Sequence, residues 1–242
     1  MQHTRYLHIN SKNRSYGHSH DFAIELKPAI MSVKSVKLLA LALPLSNYTI
    51  NDSNNLIYFT DGVTDFEATI IPGIYNSDNI GLAIKTAIEA TGFAGTITVT
   101  FSENTYRLTI TSTTNFSLQF GTYMANSAYQ ILGFDPVDTS LDVAHEGDNA
   151  INLSIPPCIF IKINEFPIMC RSSNGINGTF PIYINTISGE INYFYSNLYF
   201  ENKAHNTISF TNMLHIQLID PDTGNLFDIN DNEISLLLEL EY

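Results

Sequence analysis

The sequence predicts an all-β fold: a single jelly-roll β-sandwich with one main amphipathic helix. Three observations carry this. Apolar residues alternate with period two in nearly every apolar run, which turns one face of each run toward a core. Gly, Pro, Asn and Asp punctuate almost every gap, as tight connections between short strands require. Only one long segment changes to a helical period. With no internal repeat and no low-complexity linker, many short strands around one helix favour a sandwich. A chain of 242 residues fits one such domain.

Taken in order, residues 20–27 place Phe22, Ile24 and Leu26 on one face, and residues 34–43 form the next strand candidate. Candidates at 56–60 and 66–70 follow. The helix spans 78–91: Ile80, Ala83, Ile84, Ala87 and Ile88 share a face, Ser77 is placed to cap it, and Gly92 ends it. Asp78 in its first turn suits the helix dipole. Residues 96–102 and 106–111 alternate on either side of Glu103-Asn104, the pattern of a hairpin. A further strand is expected at 116–120, then a short helix at 127–132 before Gly133. The remaining strand candidates are 151–155, 158–164, 182–186, 190–194, 207–210, 214–220 and 234–241.

Composition narrows the function. The hydrophobic fraction is 44% and the charged fraction 14%, so a large core is available and disorder is not expected. No apolar run approaches the roughly 18 residues of a membrane span. The N-terminal residues hold no apolar stretch of the secretory kind. Cys158 and Cys170 form no CxxC and read as reduced thiols. The net charge of −13 excludes a basic nucleic-acid-binding domain.

That charge is unevenly spread. Residues 1–37 hold six bases and two acids, a net of +4, whereas the remainder holds five bases against twenty-two acids, a net of −17. The sequence therefore divides into a basic N-terminal arm, 1–19, and a jelly-roll domain, 20–242. Arg5, His8, Lys12 and Arg14 are the candidate assembly contacts of the arm, reaching toward an acidic neighbour or nucleic acid.

No catalytic, cofactor-binding or metal-ligating residue is assigned. The chain lacks a P-loop, a dinucleotide fingerprint, a GxSxG elbow and an HExxH helix. His18-Ser19-His20-Asp21 offers two imidazoles and a carboxylate, but zinc needs further ligands that the sequence does not identify, so a polar lead-in to the first strand is favoured. Residues 220–233 are rich in oxygen ligands. Gly224 falls at the fifth position of an EF-hand pattern instead of the sixth, which favours an Asx-rich hairpin loop. Tyr193-Phe194-Tyr195, with Tyr199-Phe200 beyond, reads equally as a stacking platform or as alternating strand positions.

Several segments in order resemble one family. They are Ser11-Lys12-Asn13-Arg14, then Asp21-Phe22-Ala23-Ile24-Glu25-Leu26, residues 33–44 ending at Pro44, Tyr48 and Asn54-Asn55. Ile71-Pro72-Gly73-Ile74-Tyr75 precedes the helix, and Leu132-Gly133-Phe134 follows it. Leu214, Ile216, Leu218, Asp220 and Gly224 lead to the terminal strand. This order resembles the penton and related minor capsid proteins of virophages, polinton-like viruses and large DNA viruses with double-jelly-roll major capsids. The resemblance implies a structural virion protein, not an enzyme: a homo-pentamer at icosahedral vertices, in contact with the major capsid protein and with other minor capsid proteins. It would reside in the virion, and in the host cell during assembly. No cofactor and no sequence-specific nucleic acid are implied. Some members carry an inserted outer domain, and this chain is short enough that a large insertion is not expected. A minor or cement capsid protein and a jelly-roll attachment or lectin-like module are the alternatives. A cupin-type enzyme is a more distant one.

Overall fold

From Asp21 to Pro44 the chain forms one strand of 24 residues where the sequence predicts two. The computed structural model describes residues 3–196 and 203–242. In chain order the strands are β1 (Thr4–Asn10), β2 (Tyr16–His18), β3 (Asp21–Pro44), β4 (Leu56–Thr60), β5 (Asp65–Thr69), β6 (Ile97–Phe101), β7 (Leu108–Leu118), β8 (Asp142–Glu146), β9 (Cys158–Ile163), β10 (Cys170–Arg171), β11 (Asn177–Gly178), β12 (Phe180–Tyr183), β13 (Ile191–Tyr195), β14 (Lys203–Ile219) and β15 (Ser235–Glu241). The helices are α1 (Ile80–Glu89) and α2 (Tyr129–Leu132). The fold is all-β, of the jelly-roll class, with α1 as its one main helix.

The chain groups into two compact units, one of residues 1–47 with 155–242, the other of residues 48–154. This differs from the expected arm over 1–19 and single domain over 20–242. Between the two parts of the first unit, the continuous segment 48–154 forms a unit with its own core.

In the first unit, strands run in the order β1-β15-β3-β14-β9-β12, and β2 and β13 also pair with β3. The long β3 serves as the axis. β14 pairs with it from Asp21 to Lys37, and β13 continues that edge from Ala40 to Pro44. β15 pairs along its other edge from Ser35 to Ala42. Between Thr211 and Met213 the partner on β3 jumps from Ile30 to Glu25, so residues 26–29 bulge from the ladder. Pro28, which has no N–H to donate, sits in that bulge, and Ser32 nearby takes φ +56°. This is how one strand absorbs a proline that reads as a break in sequence. Alternate residues Leu236, Leu238 and Leu240 of β15 and Leu214, Ile216 and Leu218 of β14 enter a mainly aliphatic core with Val36, Leu38 and Leu41.

The second unit pairs its strands in the order β5-β4-β7-β6, with β8 on β7. The predicted hairpin is present, with Ile97 to Phe101 opposite Ser112 to Leu108. α1 packs Ile80, Ile84, Ala87 and Ile88 into the core. Its cap differs from the expected Ser77. Asn79 holds the N-cap position, and the Asn76 side chain accepts from the N–H groups of Asp78 and Asn79 just before it. α2 ends at Gly133, whose φ of +82° and close approach to the Asn149 carbonyl leave no space for a Cβ. Residues 151–155, expected as a strand, are irregular, while β1 and β8 were not expected. Among the described residues no helix is long and apolar enough to cross a membrane.

Candidate functional site

The four candidate arm residues belong to a segment that is built into the first unit. β1 pairs over its full length with β15, from Thr4 opposite Glu241 to Asn10 opposite Ser235, and Ile9 is fully buried. The reason is local. Leu7 and Ile9 alternate toward the core, and β15 offers a free edge. Arg5 stands 5.3 Å from the centre of the Tyr242 ring. His8 Nε2 is 2.8 Å from Ser235 Oγ. The Lys12 side chain is exposed beside a turn in which its N–H donates to Asn10 Oδ1. Arg14 is engaged internally: it donates to Glu233 Oε1 at 2.9 Å and to the carbonyls of Ser11 and Gly17. These four residues do not converge on one surface.

Glu233 opens a ladder that the sequence reading missed. Arg14 faces Glu233, His18 Nδ1 lies 3.4 Å from Asp231 Oδ1, and His20 Nδ1 lies 3.1 Å from Asp228 Oδ1. The partners therefore run in opposite order along two segments, 14–20 and 228–233. Gly17 makes the first segment possible. Its φ is +94°, and a Cβ there would meet the Asp21 carbonyl at 2.2 Å. Consecutive left-handed residues, Asn230 and Asp231, turn the second. The two imidazoles stack with centroids 5.7 Å apart, and with Asp228, Asn230 and Asp231 they line a cleft of about 440 Å³. Burial, the largest single effect, pushes the Asp231 and Glu233 carboxyls up, but several smaller effects together hold both below the ordinary range. For Asp231 these are hydrogen bonds from His18 and the Ser19 N–H, with the charges of His18 and Arg14. For Glu233 they are hydrogen bonds from Ser11 and Arg14 and the charge of Arg14. His18 and His20 thus face Asp228 and Asp231 of the distant segment. Among the described residues, no group of three or more His, Cys, Asp or Glu is placed to hold a metal ion.

A second polar chain joins Glu165, His215 and Tyr16. Glu165 Oε1 lies 2.6 Å from His215 Nδ1, and His215 Nε2 lies 2.6 Å from the Tyr16 hydroxyl. Glu165 also accepts from the His215 N–H at 2.9 Å. One carboxylate oxygen holds the ring and the other the backbone of His215, and the Tyr16–His215 contact pins the β2 hairpin to β14. These residues lie 50 and 199 positions apart, so no sequence motif could have found them.

At the start of the oxygen-rich loop after β14, Asp220 is spent on its own turn. Asp220 Oδ1 accepts from the Asp222 N–H and Oδ2 from the Thr223 hydroxyl, an Asx turn. Burial first, and the neighbouring Cys158 second, push the Cys170 thiol up to about 11. Burial likewise raises Cys158.

Of the aromatic run, Tyr193 and Tyr195 are exposed and nearly parallel, 6.4 Å apart, while Phe194 packs against the core. Tyr199 and Phe200 lie outside the described residues. The two tyrosines, with His8, Ala40, Ala42 and Leu237, line a shallow pocket of about 260 Å³ on the outer face of the sheet. β-pairing places these residues in register: Tyr195 and Leu237 both pair with Ala40, and His8 pairs with Leu237.

No protein-family model matches the chain, and no curated protein matches it in sequence. Among solved structures, a crystal structure of the selenomethionine-labelled mavirus penton protein superposes with a TM-score of 0.52. The match covers 99% of this chain and 99% of that one at 13% sequence identity. The likeness is one of fold, and it extends from end to end of both chains.

Proposed function

We propose that this protein is a structural virion protein, a penton that forms a pentamer at icosahedral vertices and contacts the surrounding major capsid protein. The observation that carries the reading is the end-to-end fold likeness to the mavirus penton protein. The ordered motifs from Ser11 to the terminal strand agree with it. Exposed large apolar residues of the first unit, among them Tyr6, Met31, Tyr183, Ile187 and Phe210, are the kind of surface that assembly covers. Five copies of −13 give −65, so the acids of a pentamer face solvent, basic neighbours or cations. In this reading the basic segment meets its neighbours as a fixed edge strand. Arg5, His8 and Lys12 are its assembly contacts, and Arg14 holds the segment to Glu233. Heterologous contacts around a five-fold axis close a ring. Negative-stain microscopy of the purified protein and a cryo-EM map of the particle test this. Five-fold rings and density at the vertices are expected. A strictly monomeric protein absent from the vertices overturns the reading.

A second reading, an attachment module, is favoured by one observation. The parallel pair Tyr193 and Tyr195 beside the polar His8 and Ser235 suits a sugar ring, which stacks on aromatic faces and hydrogen-bonds at its edge. Saturable glycan binding that Tyr193→Ala and Tyr195→Ala abolish supports it. A glycan array without hits removes it.

A further inference from the structure

Helix α1 buries one face and leaves another without a partner. Asn79, Leu82, Ala83, Thr86 and Ala90, with the buried Ala87 at the border of the core, follow helical spacing along a trough of about 470 Å³, walled on its other side by Thr69, Ile71 and Tyr75. The floor is made of alanines. Two large aliphatic side chains stand open at the walls, Ile71 at 74% and Leu82 at 68% exposure. Tyr75 is fixed, since its hydroxyl donates to the Ile71 carbonyl at 2.7 Å. From residue 79 to 90 the trough runs about 16 Å at 1.5 Å per residue. A strand of about five residues spans that distance.

Charge selects the occupant. Residues 48–154 hold twelve acids and two bases, Lys85 and Arg107, a net of −10. Near the trough stand Glu67 on β5, Asp78 before α1 and Glu89 at its end. Lys85 is paired with Glu89 at 3.7 Å. A second copy carries −13 in all, and face to face it would bring another surface of −10 against this one, which like-charge repulsion opposes. An apolar groove in an acidic field instead fits a segment with apolar anchors flanked by Lys or Arg.

We propose that the trough between α1 and Ile71–Tyr75 is a docking site for a short basic segment of another protein, with aliphatic anchors seated between Leu82 and Ile71. The proposal goes beyond the penton reading and is tested without particles. The full-length protein is titrated, with fluorescence anisotropy as readout, against a labelled nine-residue peptide with a Leu-Gly-Leu centre flanked by lysines. Two control peptides replace the leucines by serine or the lysines by glutamate. Saturable binding of the first peptide alone is expected, weakening as salt is raised. Leu82→Asp should weaken it about tenfold, although the substitution adds negative charge. Ile71→Ser, outside the helix, should do the same, and circular dichroism checks that both variants stay folded. Three results overturn the proposal. The first is no binding of the leucine peptide. The second is equal binding of the serine peptide, or binding that neither substitution changes, which means charge attraction alone. The third is a change in sedimentation with Leu82→Asp, which means that a second copy covers this face.

Discussion

The two units solve the same packing problem differently. The first builds an aliphatic core from long strands and is discontinuous in sequence. Its first and last strands pair, Thr4 against Glu241. The second is one continuous segment with short strands, a helix and an aromatic centre. Phe59 stacks on Phe66 at 5.0 Å and meets Phe93 and Phe116 edge-on at 5.4 and 6.5 Å. Charge divides them too. The first unit has nine bases and twelve acids, a net of −3, against −10 in the second. The comparison teaches where the charge asymmetry belongs. Read linearly it separates an arm from a body, but in the structure the basic segment joins a nearly balanced unit and the excess acid lies in the other.

If each unit depends on its own core, Phe116→Ala, at a fully buried position, should cost about 4 kcal/mol and expose 48–154 first. Hydrogen exchange checks this, and equal loss of protection in both units would break the comparison. Deleting residues 1–10 removes an edge strand and the buried Ile9, so it should destabilise the first unit by about 3 kcal/mol, read as a lower Tm. A free arm would give no change.

Carboxyls held below their ordinary range sharpen the comparison under acid. They stabilise the fold above the ordinary carboxylate range, and that contribution is lost as pH falls through their own lower values. In the first unit Glu233 and Asp231 play this part. In the second Asp138 does, held down by hydrogen bonds from the Thr122 hydroxyl and the N–H groups of Thr122 and Gly121. Glu233→Gln and Asp138→Asn should each flatten the loss of stability in acid, by less than about 1 kcal/mol because solvent screens these exposed sites. Melting curves between about pH 5 and 2 measure it. The smallest effect is salt. Raising NaCl from about 50 to 500 mM should stabilise the second unit by a few tenths of a kcal/mol more than the first, as screening relieves its self-repulsion. Hydrogen exchange at the two salt concentrations separates the units.

Much of the fold was legible because alternation and helical spacing are local. Leu236, Leu238 and Leu240 announce a strand without any partner, and Ile80, Ile84 and Ile88 announce a helix. The joining of 20–27 and 34–43 was not legible, because Pro28 reads as a stop unless a bulge accommodates it. β1 was hidden by its polar residues: Leu7 and Ile9 are its inward apolar pair, and two such residues make a faint pattern.

The ligands of a site are another matter. Arg14, His18 and His20 were visible as a basic run, but their partners Glu233, Asp231 and Asp228 lie more than two hundred residues away. The sequence alone determined the fold class, the main helix, the buried face of the strongly alternating strands and the total charge, since these follow from neighbouring residues and composition. Only the tertiary structure decided that the basic segment is a strand and that 48–154 closes on its own core. It alone brought the opposed ladder, the Glu165–His215–Tyr16 chain and the trough beside α1 together. Each of these depends on which distant strands share an edge, and that is set by long-range packing, which no local pattern encodes.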